Sequence, residues 1–326
     1  KGIKVKKGLL LFVCLMSALL LDAETIFVKA GMNGNGTSWM NAYGDLQQAL
    51  ASAQAADEIW VAAGTYYTTQ DGDRTKSFRL VEGVALFGGF AGTETAKEQR
   101  QIAVNLTILS GEIGSASKED NAFTVVYADK VSQKTVVDGF TIADGVSNGF
   151  TVNGDLSFSG AAWFNNVASP TISNCTFTNN YAREGAAIYN YANNGISNPI
   201  ISNCRFISNR ADFDGGAIFN MSINGQCTPR IANCHFENNH STYGAGILNK
   251  GVDGIVKAII TGCVFNNNAS ILGGVAVYNH REGRGVCDAI MQNCQFSNNS
   301  SVDGNSIGNN STAGKQSTGG AVLRSY

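Results

Sequence analysis

Apolar and polar positions along this chain alternate at period two over short stretches, and those stretches return about every 30 residues. Five of them open on a cysteine, at Cys175, Cys204, Cys234, Cys263 and Cys294, and read CTFTNN, CRFISN, CHFENN, CVFNNN and CQFSNN. The gaps between these cysteines are 29, 30, 29 and 31 residues. A second phrase follows each at a near-constant offset: GAAIYN from Gly185, GGAIFN from Gly215, GAGILN from Gly244, GVAVYN from Gly274 and GNSIGN from Gly304. A period of this length carried by short apolar pieces marks a solenoid.

Superposed, the repeats form columns. Two residues after each Cys stands a Phe (Phe177, Phe206, Phe236, Phe265, Phe296), and five after it an Asn (Asn180, Asn209, Asn239, Asn268, Asn299). Three before it stands an aliphatic residue (Ile172, Ile201, Ile231, Ile260, Met291). In the second phrase the columns are Ile188, Ile218, Ile247, Val277, Ile307 and then Asn190, Asn220, Asn249, Asn279, Asn309.

Cys-x-Phe alternates as a strand does, and each piece is too short for a helix. Gly and Asn every few residues also argue against helical repeats, because both are poor in helix interiors. Asn suits bends, since it tolerates left-handed dihedrals and bonds its own backbone. Three short strands and three bends per repeat predict an all-β fold, a right-handed single-stranded parallel β-helix. Coils then stack about 4.8 Å apart, with apolar columns inside and side-chain amides bonding along the Asn columns. Pro170, Pro199 and Pro229 each lie five before a repeat Cys, where a strand begins and proline costs least.

The chain before the repeats is less regular. Thr25–Val28 reads as a first strand. Leu46, Ala49, Leu50 and Ala53 then recur at helical spacing, predicting a short amphipathic helix that caps the open end of the β-helix, where a bare strand edge invites association. Strands resume over 58–66, FRL, VALFGGF and LTILSG. In TVVDGFTIADG from Thr135 the repeat Cys reads as replaced by Gly139, and GAAWFN from Gly160 supplies the second phrase. The domain organisation expected is a signal peptide over 1–23, a cap and irregular coils over 24–134, and regular repeats over 135–326.

Composition narrows the picture. A formal charge of −2 offers no basic excess for nucleic acid or an anionic membrane. Lys1, Lys4, Lys6 and Lys7 precede an apolar run from Leu9 to Leu21 that is too short to span a bilayer, so the start reads as a secretory leader cleaved after Ala23. No transmembrane span is expected in the mature chain. A lipoprotein reading of Cys14 is weaker, because Val13 before it is not small. A chain opening on Lys and closing in coil-like sequence (GGAV at Gly319) is expected to be a fragment lacking its C-terminal part. The repeat cysteines alternate inward with Phe and read as free thiols, since parallel neighbours in a column are poorly placed to bridge. Cys227 and Cys287 fall two coils apart, too far for a disulfide.

EIWVAAGTYY, SFRLVEGVALFGGFAGTETAKEQR, NLTILSGEIG, DNAFTVVY and VVDGFTIADG resemble the N-terminal half of secreted bacterial right-handed β-helix proteins of the Bacteroidota-like, choice-of-anchor type. SPTISNCTFTNN and GAAIYN resemble their repeats, and are also similar to those of chlamydial polymorphic outer-membrane proteins. The resemblance covers nearly all of the chain after the leader. It implies a pectin-lyase-like fold and a secreted, cell-surface or outer-membrane location, with no established catalytic residues to transfer. No anchor domain follows Tyr326, which leaves the mode of attachment open.

Parallel β-helices include polysaccharide lyases and polygalacturonases. A polygalacturonase-like site needs paired aspartates and Gly-His-Gly, and this sequence has neither. Arg205 and His235 share an outward column with Glu237 on the same face, which makes them the weak catalytic candidates; a solvated sheet face with ordinary charge pairing is the favoured account of them. Glu184 and Asp214 share another column, where two carboxylates would bind a cation or one would titrate high. The next coils carry Tyr243 and Gly273 there, so the column is not maintained. Lys250 stacks on His280, as a polar loop would, and Asp71 with Asp73 are weak Ca²⁺ candidates. Tyr189, Phe219, Leu248 and Tyr278 follow the inward Ile/Val column, so alternation turns them outward. Such a row would either hold sugar rings or lie under the variable loop that follows each Asn. No metal site or cofactor is indicated.

The reading favoured is an exported or surface solenoid, non-catalytic, presenting loops for adhesion or glycan binding, with polysaccharide or cell-surface glycans as partners. A polysaccharide lyase or glycoside hydrolase is the alternative, and a plain stalk differs from the first reading only in lacking a ligand.

Overall fold

The structure is a computed structural model that describes residues 23–115, 117–150 and 154–302, with the backbone of Ile307–Ser311 and Val322–Arg324. The expected leader, apart from Ala23, and the phrases at Gly304 and Gly319 lie outside or largely outside the described residues.

The chain winds into a parallel β-solenoid of about nine turns. Three long sheets make its faces. The first contains ten strands, from Thr25–Val28 through Thr171–Ser173 and Ile200–Ser202 to Val322–Arg324. The second contains eight, from Gly64–Tyr67 through Thr176–Thr178, Arg205–Ile207 and His235–Glu237 to Gln295–Ser297. The third also contains eight, from Phe78–Arg79 through Ile188–Asn193, Ile218–Ile223 and Ile247–Val252 to Ile307–Ser311. Residues one repeat apart pair in register, Phe177 with Phe206 and Ile188 with Ile218.

A coil carries more than the three strands expected. A short fourth strand lies between the second and third faces (Tyr181–Glu184, Arg210–Asp214, His240–Ser241), and several coils add a fifth before returning to the first face (Gln226–Cys227, Ile255–Val256, Val286–Cys287). The sharp corners fall on left-handed residues. Asn174, Asn203 and Asn233 precede the repeat Cys, while Asn179, Asn238 and Asn267 follow it by four. Asn reaches these dihedrals at little cost.

The predicted columns face inward. Ile172, Ile201, Ile231 and Met291 are buried, with the cysteines from Cys175 to Cys263 beside them. Phe177, Phe206, Phe236 and Phe265 stack at centroid distances of 4.9, 4.7 and 4.6 Å with rings within 7° of parallel. Each buried ring contributes about 1.5–3 kcal/mol of transfer free energy. The Asn columns five after the Cys (Asn180 to Asn268) and five after the leading Gly (Asn165 to Asn279) are buried amide ladders. In the first, Asn180 Nδ2 donates to Asn209 Oδ1 at 2.9 Å, and the pattern continues through Asn239 and Asn268. The second runs from Asn165 through Asn190, Asn220 and Asn249 to Asn279 at 2.6–2.8 Å. All seven described cysteines are free thiols, with Val256 between Cys227 and Cys287 in the fifth sheet.

The cap is the helix Leu46–Ser52, opened by Asp45, whose carboxylate accepts from Gln47 N at 2.9 Å. It buries Leu46, Ala49 and Leu50 over the first coil. The register at Gly139 corrects the sequence reading by one residue. Ile172 pairs with Val137 and Phe177 with Ile142, so Gly139 (φ +83°) matches the left-handed Asn174, and Phe140 stands in the cysteine column. Among the described residues no helix is long and apolar enough to cross a membrane.

Candidate functional site

Arg205 and His235 sit side by side on the second face, and Glu237 is on the same side of its strand two residues beyond His235. The first two are exposed and Glu237 is half-buried. Among the described residues no ion pair or side-chain hydrogen bond joins them. A row of side chains on an open sheet, without a partner or a wall, does not assemble an acid and a base around a substrate.

The ring column on the third face is a correction. Tyr189, Phe219, Leu248 and Tyr278 do turn away from the central core, but they are 0%, 0%, 1% and 8% exposed. Phe164 and Met221 join them in a second apolar cluster, against which Leu156, Tyr191, Tyr243 and Val252 pack. No sugar ring reaches a face that is already covered, so Tyr189, Phe219 and Tyr278 form no open platform.

Beside this cluster lie Glu184 and Asp214, paired in register on adjacent coils, with Ser159 bridged to Glu184 on the other side. Glu184 is 5% exposed, and burial followed by the neighbouring Asp214 pushes its carboxyl up to about 8, against the pull of Lys250 and Ser159. Burial also raises Asp214, with Lys250 and His280 drawing it back. Lys250 and His280, stacked as expected, both reach Glu282, at 3.0 and 2.9 Å. Glu184 Oε2, Ser159 Oγ and the Tyr189 hydroxyl are buried without a hydrogen bond. Among the described residues no three His, Cys, Asp or Glu side chains converge as metal ligands. Asp71 and Asp73 instead close tight turns, accepting from Thr69 Oγ1 at 2.5 Å and Thr75 Oγ1 at 2.6 Å.

Two wide concave surfaces lie elsewhere among the described residues. One, of about 880 Å³, lies beneath the cap between Gln47, Tyr67, Thr69, Asp71, Lys76 and Arg79. Much of its polar lining is already engaged: Gln47 Nε2 bonds the Thr68 and Ser77 carbonyls, and Thr69 bonds Asp71. The other, of about 700 Å³, crosses three coils along the fourth sheet, between Lys118, Asn148, Phe150, Tyr181, Arg183 and Arg210. Val146, Tyr181 and Arg210 are register neighbours on its floor. Phe150 is 94% exposed, with the Arg183 guanidinium 5.3 Å from its ring centroid. Phe213, 49% exposed, stacks on Phe158 at 6.2 Å. Asp212 accepts from the Tyr181 hydroxyl at 2.6 Å and from Arg183, and the Tyr181 phenol is pushed up to about 12 by burial and by that carboxylate. Exposed rings thus lie on this edge, not on the expected row. The sequence reading missed them because Phe150, Phe158 and Phe213 occupy no repeated column.

Residues 29–239 match the family described as Protein of unknown function (DUF1565), and the chain belongs to that family. No curated protein matches its sequence. Among solved structures it is similar to the crystal structure of the pectin methylesterase from Aspergillus niger in deglycosylated form, at 16% identity and a TM-score of 0.45, covering 94% of this chain and 93% of that one. It is also similar to the crystal structure of pectate lyase Pel9A, at 13% identity and a TM-score of 0.43, covering 92% and 81%.

Proposed function

We propose that the protein is an exported β-helix that binds polysaccharide at or outside the cell surface without cleaving it, through the groove across the fourth sheet. The observation that carries this reading is the combination in one open groove of an exposed ring, Phe150, with the exposed donor side chains of Lys118 and Arg210. A sugar presents an apolar face to a ring and hydroxyls to such donors, and binding sites place a few polar groups around an apolar surface in this way. Export rests on the lysine-led apolar run before Ala23. Binding without turnover rests on how the carboxylates are placed. The register pair Glu184 and Asp214 packs against the second apolar cluster, and His235 and Glu237 stand on an open face.

The test is affinity electrophoresis of the chain from residue 24 in gels containing neutral and acidic polysaccharides, run beside assays for new reducing ends and for unsaturated products. Retardation by at least one polysaccharide with no products is expected. Product formation abolished in Arg205→Ala or His235→Ala would replace this reading with the lyase or hydrolase alternative.

A further inference from the structure

We propose that the groove across the fourth sheet selects anionic polysaccharide, a chain whose sugar units carry carboxylate or sulfate groups. The inference rests on the carbohydrate-binding reading above and narrows it to one ligand class. Three cations face the groove: Lys118, Arg183 and Arg210. Of the carboxylates near them, Glu119 and Asp212 are hydrogen-bonded within the protein, and burial holds the Asp144 carboxyl, which Lys118 faces, above its usual range. Glu119 accepts from Asn148 Nδ2 at 3.0 Å, and Asp212 accepts from both Tyr181 and Arg183. Lys118 and Arg210 are exposed and make no ion pair among the described residues. Two exposed cations outside any ion pair at one groove stand out on a chain whose formal charge is −2.

Their placement favours a polymer over a single anion. Lys118 enters from the short turn Lys118–Asp120, whereas Arg210 stands on the fourth sheet, one coil beyond Tyr181 and two beyond Val146. Coils rise by about 4.8 Å, close to the advance of a pyranose chain per sugar. A chain lying along the solenoid axis would rest one ring on Phe150 and bring acidic groups to Lys118 at one end and Arg210 at the other. An arginine grips carboxylate or sulfate through paired N–H donors, and a lysine serves as a point charge.

The experiment is affinity electrophoresis and titration calorimetry of the chain from residue 24 with heparin, polygalacturonate and a neutral galactan of similar length. Arg210→Gln, Lys118→Gln and Phe150→Ala are run beside the parent, with circular dichroism as the folding control. The expected result is binding of an anionic probe that weakens as salt rises and falls about tenfold with each cation removed. Phe150→Ala weakens binding without changing its salt dependence. Preference for heparin assigns sulfate as the group read, and preference for polygalacturonate assigns carboxylate. Binding of galactan alone, equal in the parent and the Gln variants, overturns the inference and leaves the carbohydrate reading standing. Anionic binding unaltered in both Gln variants also overturns it, because the anion is then held elsewhere. Binding of none of the three overturns the inference together with the reading beneath it.

Discussion

Replacing Asn209 with Ala tests whether the buried amide ladder holds the coils together. The Asn209 side chain makes four hydrogen bonds. Its Oδ1 accepts from Asn180 N at 3.3 Å and Asn180 Nδ2 at 2.9 Å, and its Nδ2 donates to Phe177 O at 3.0 Å and Asn239 Oδ1 at 3.1 Å. Truncation removes all four, but the partners do not suffer equally. Asn180 Nδ2 keeps the Ile142 and Thr178 carbonyls, and Asn239 Oδ1 keeps the Asn209 N–H. The Asn180 N–H has no other acceptor among the described bonds and is left stranded in a buried site. A net loss of about 1 kcal/mol for each of the other three bonds, plus about 1–3 kcal/mol for the stranded N–H, gives a destabilisation of about 4–6 kcal/mol. Urea unfolding followed by both circular dichroism and tryptophan fluorescence measures it, and coincident curves justify a single free energy for this repeat array. Asn209→Asp sharpens the test. It preserves an acceptor but turns the donor into an oxygen facing Phe177 O and Asn239 Oδ1, so its stability should recover in part as acid protonates it. An Asn209→Ala midpoint within about 0.5 kcal/mol of the parent, at equal slope, would refute the ladder as a source of stability.

Three further outcomes follow from the buried groups. Tyr189→Ala should cost about 3–5 kcal/mol in the same unfolding assay and leave glycan affinity of the folded protein unchanged; a loss of affinity at unchanged stability would restore the ring row as a binding face. The six buried cysteines from Cys175 to Cys287 should resist alkylation in the native state because reagent cannot reach them, burial also pushing the Cys227 and Cys287 thiols up, the latter to about 12, and all seven should alkylate after denaturation without reductant. Mass spectra with linked peptides would contradict the column geometry. Glu184 rises from 4.5 to about 8 on folding, so between those pH values the folded chain holds a proton that the unfolded chain has released. Its contribution is fully present below about pH 4.5 and is lost as pH rises through 8, on the order of 5 kcal/mol. Glu184→Gln should flatten that part of the stability–pH curve, and an unchanged slope would place the titration elsewhere.

The coil period, the inward Cys-x-Phe and Ile columns, both Asn columns and the capping helix were legible in the sequence, because each is repeated or periodic. A solenoid imposes the same environment on the same position of every coil, so a column read down the repeats reports burial directly. Gly139 shows where that reading slipped. In an irregular coil, glycine matched the left-handed corner ahead of the cysteine, and Phe140 filled the cysteine's place.

Alternation along the chain determined by itself which side of a strand Tyr189 and Phe219 occupy. Only the tertiary structure decided that this side is covered, because the covering residues, among them Leu156 and Tyr243, occur singly in neighbouring coils and recur in no column of like residues. The same holds for the groove. Lys118, Phe150, Arg183 and Arg210 belong to different coils and to no column, and what joins them is the stacking of parallel turns about 4.8 Å apart, which brings residues about 30 positions apart in sequence side by side in space.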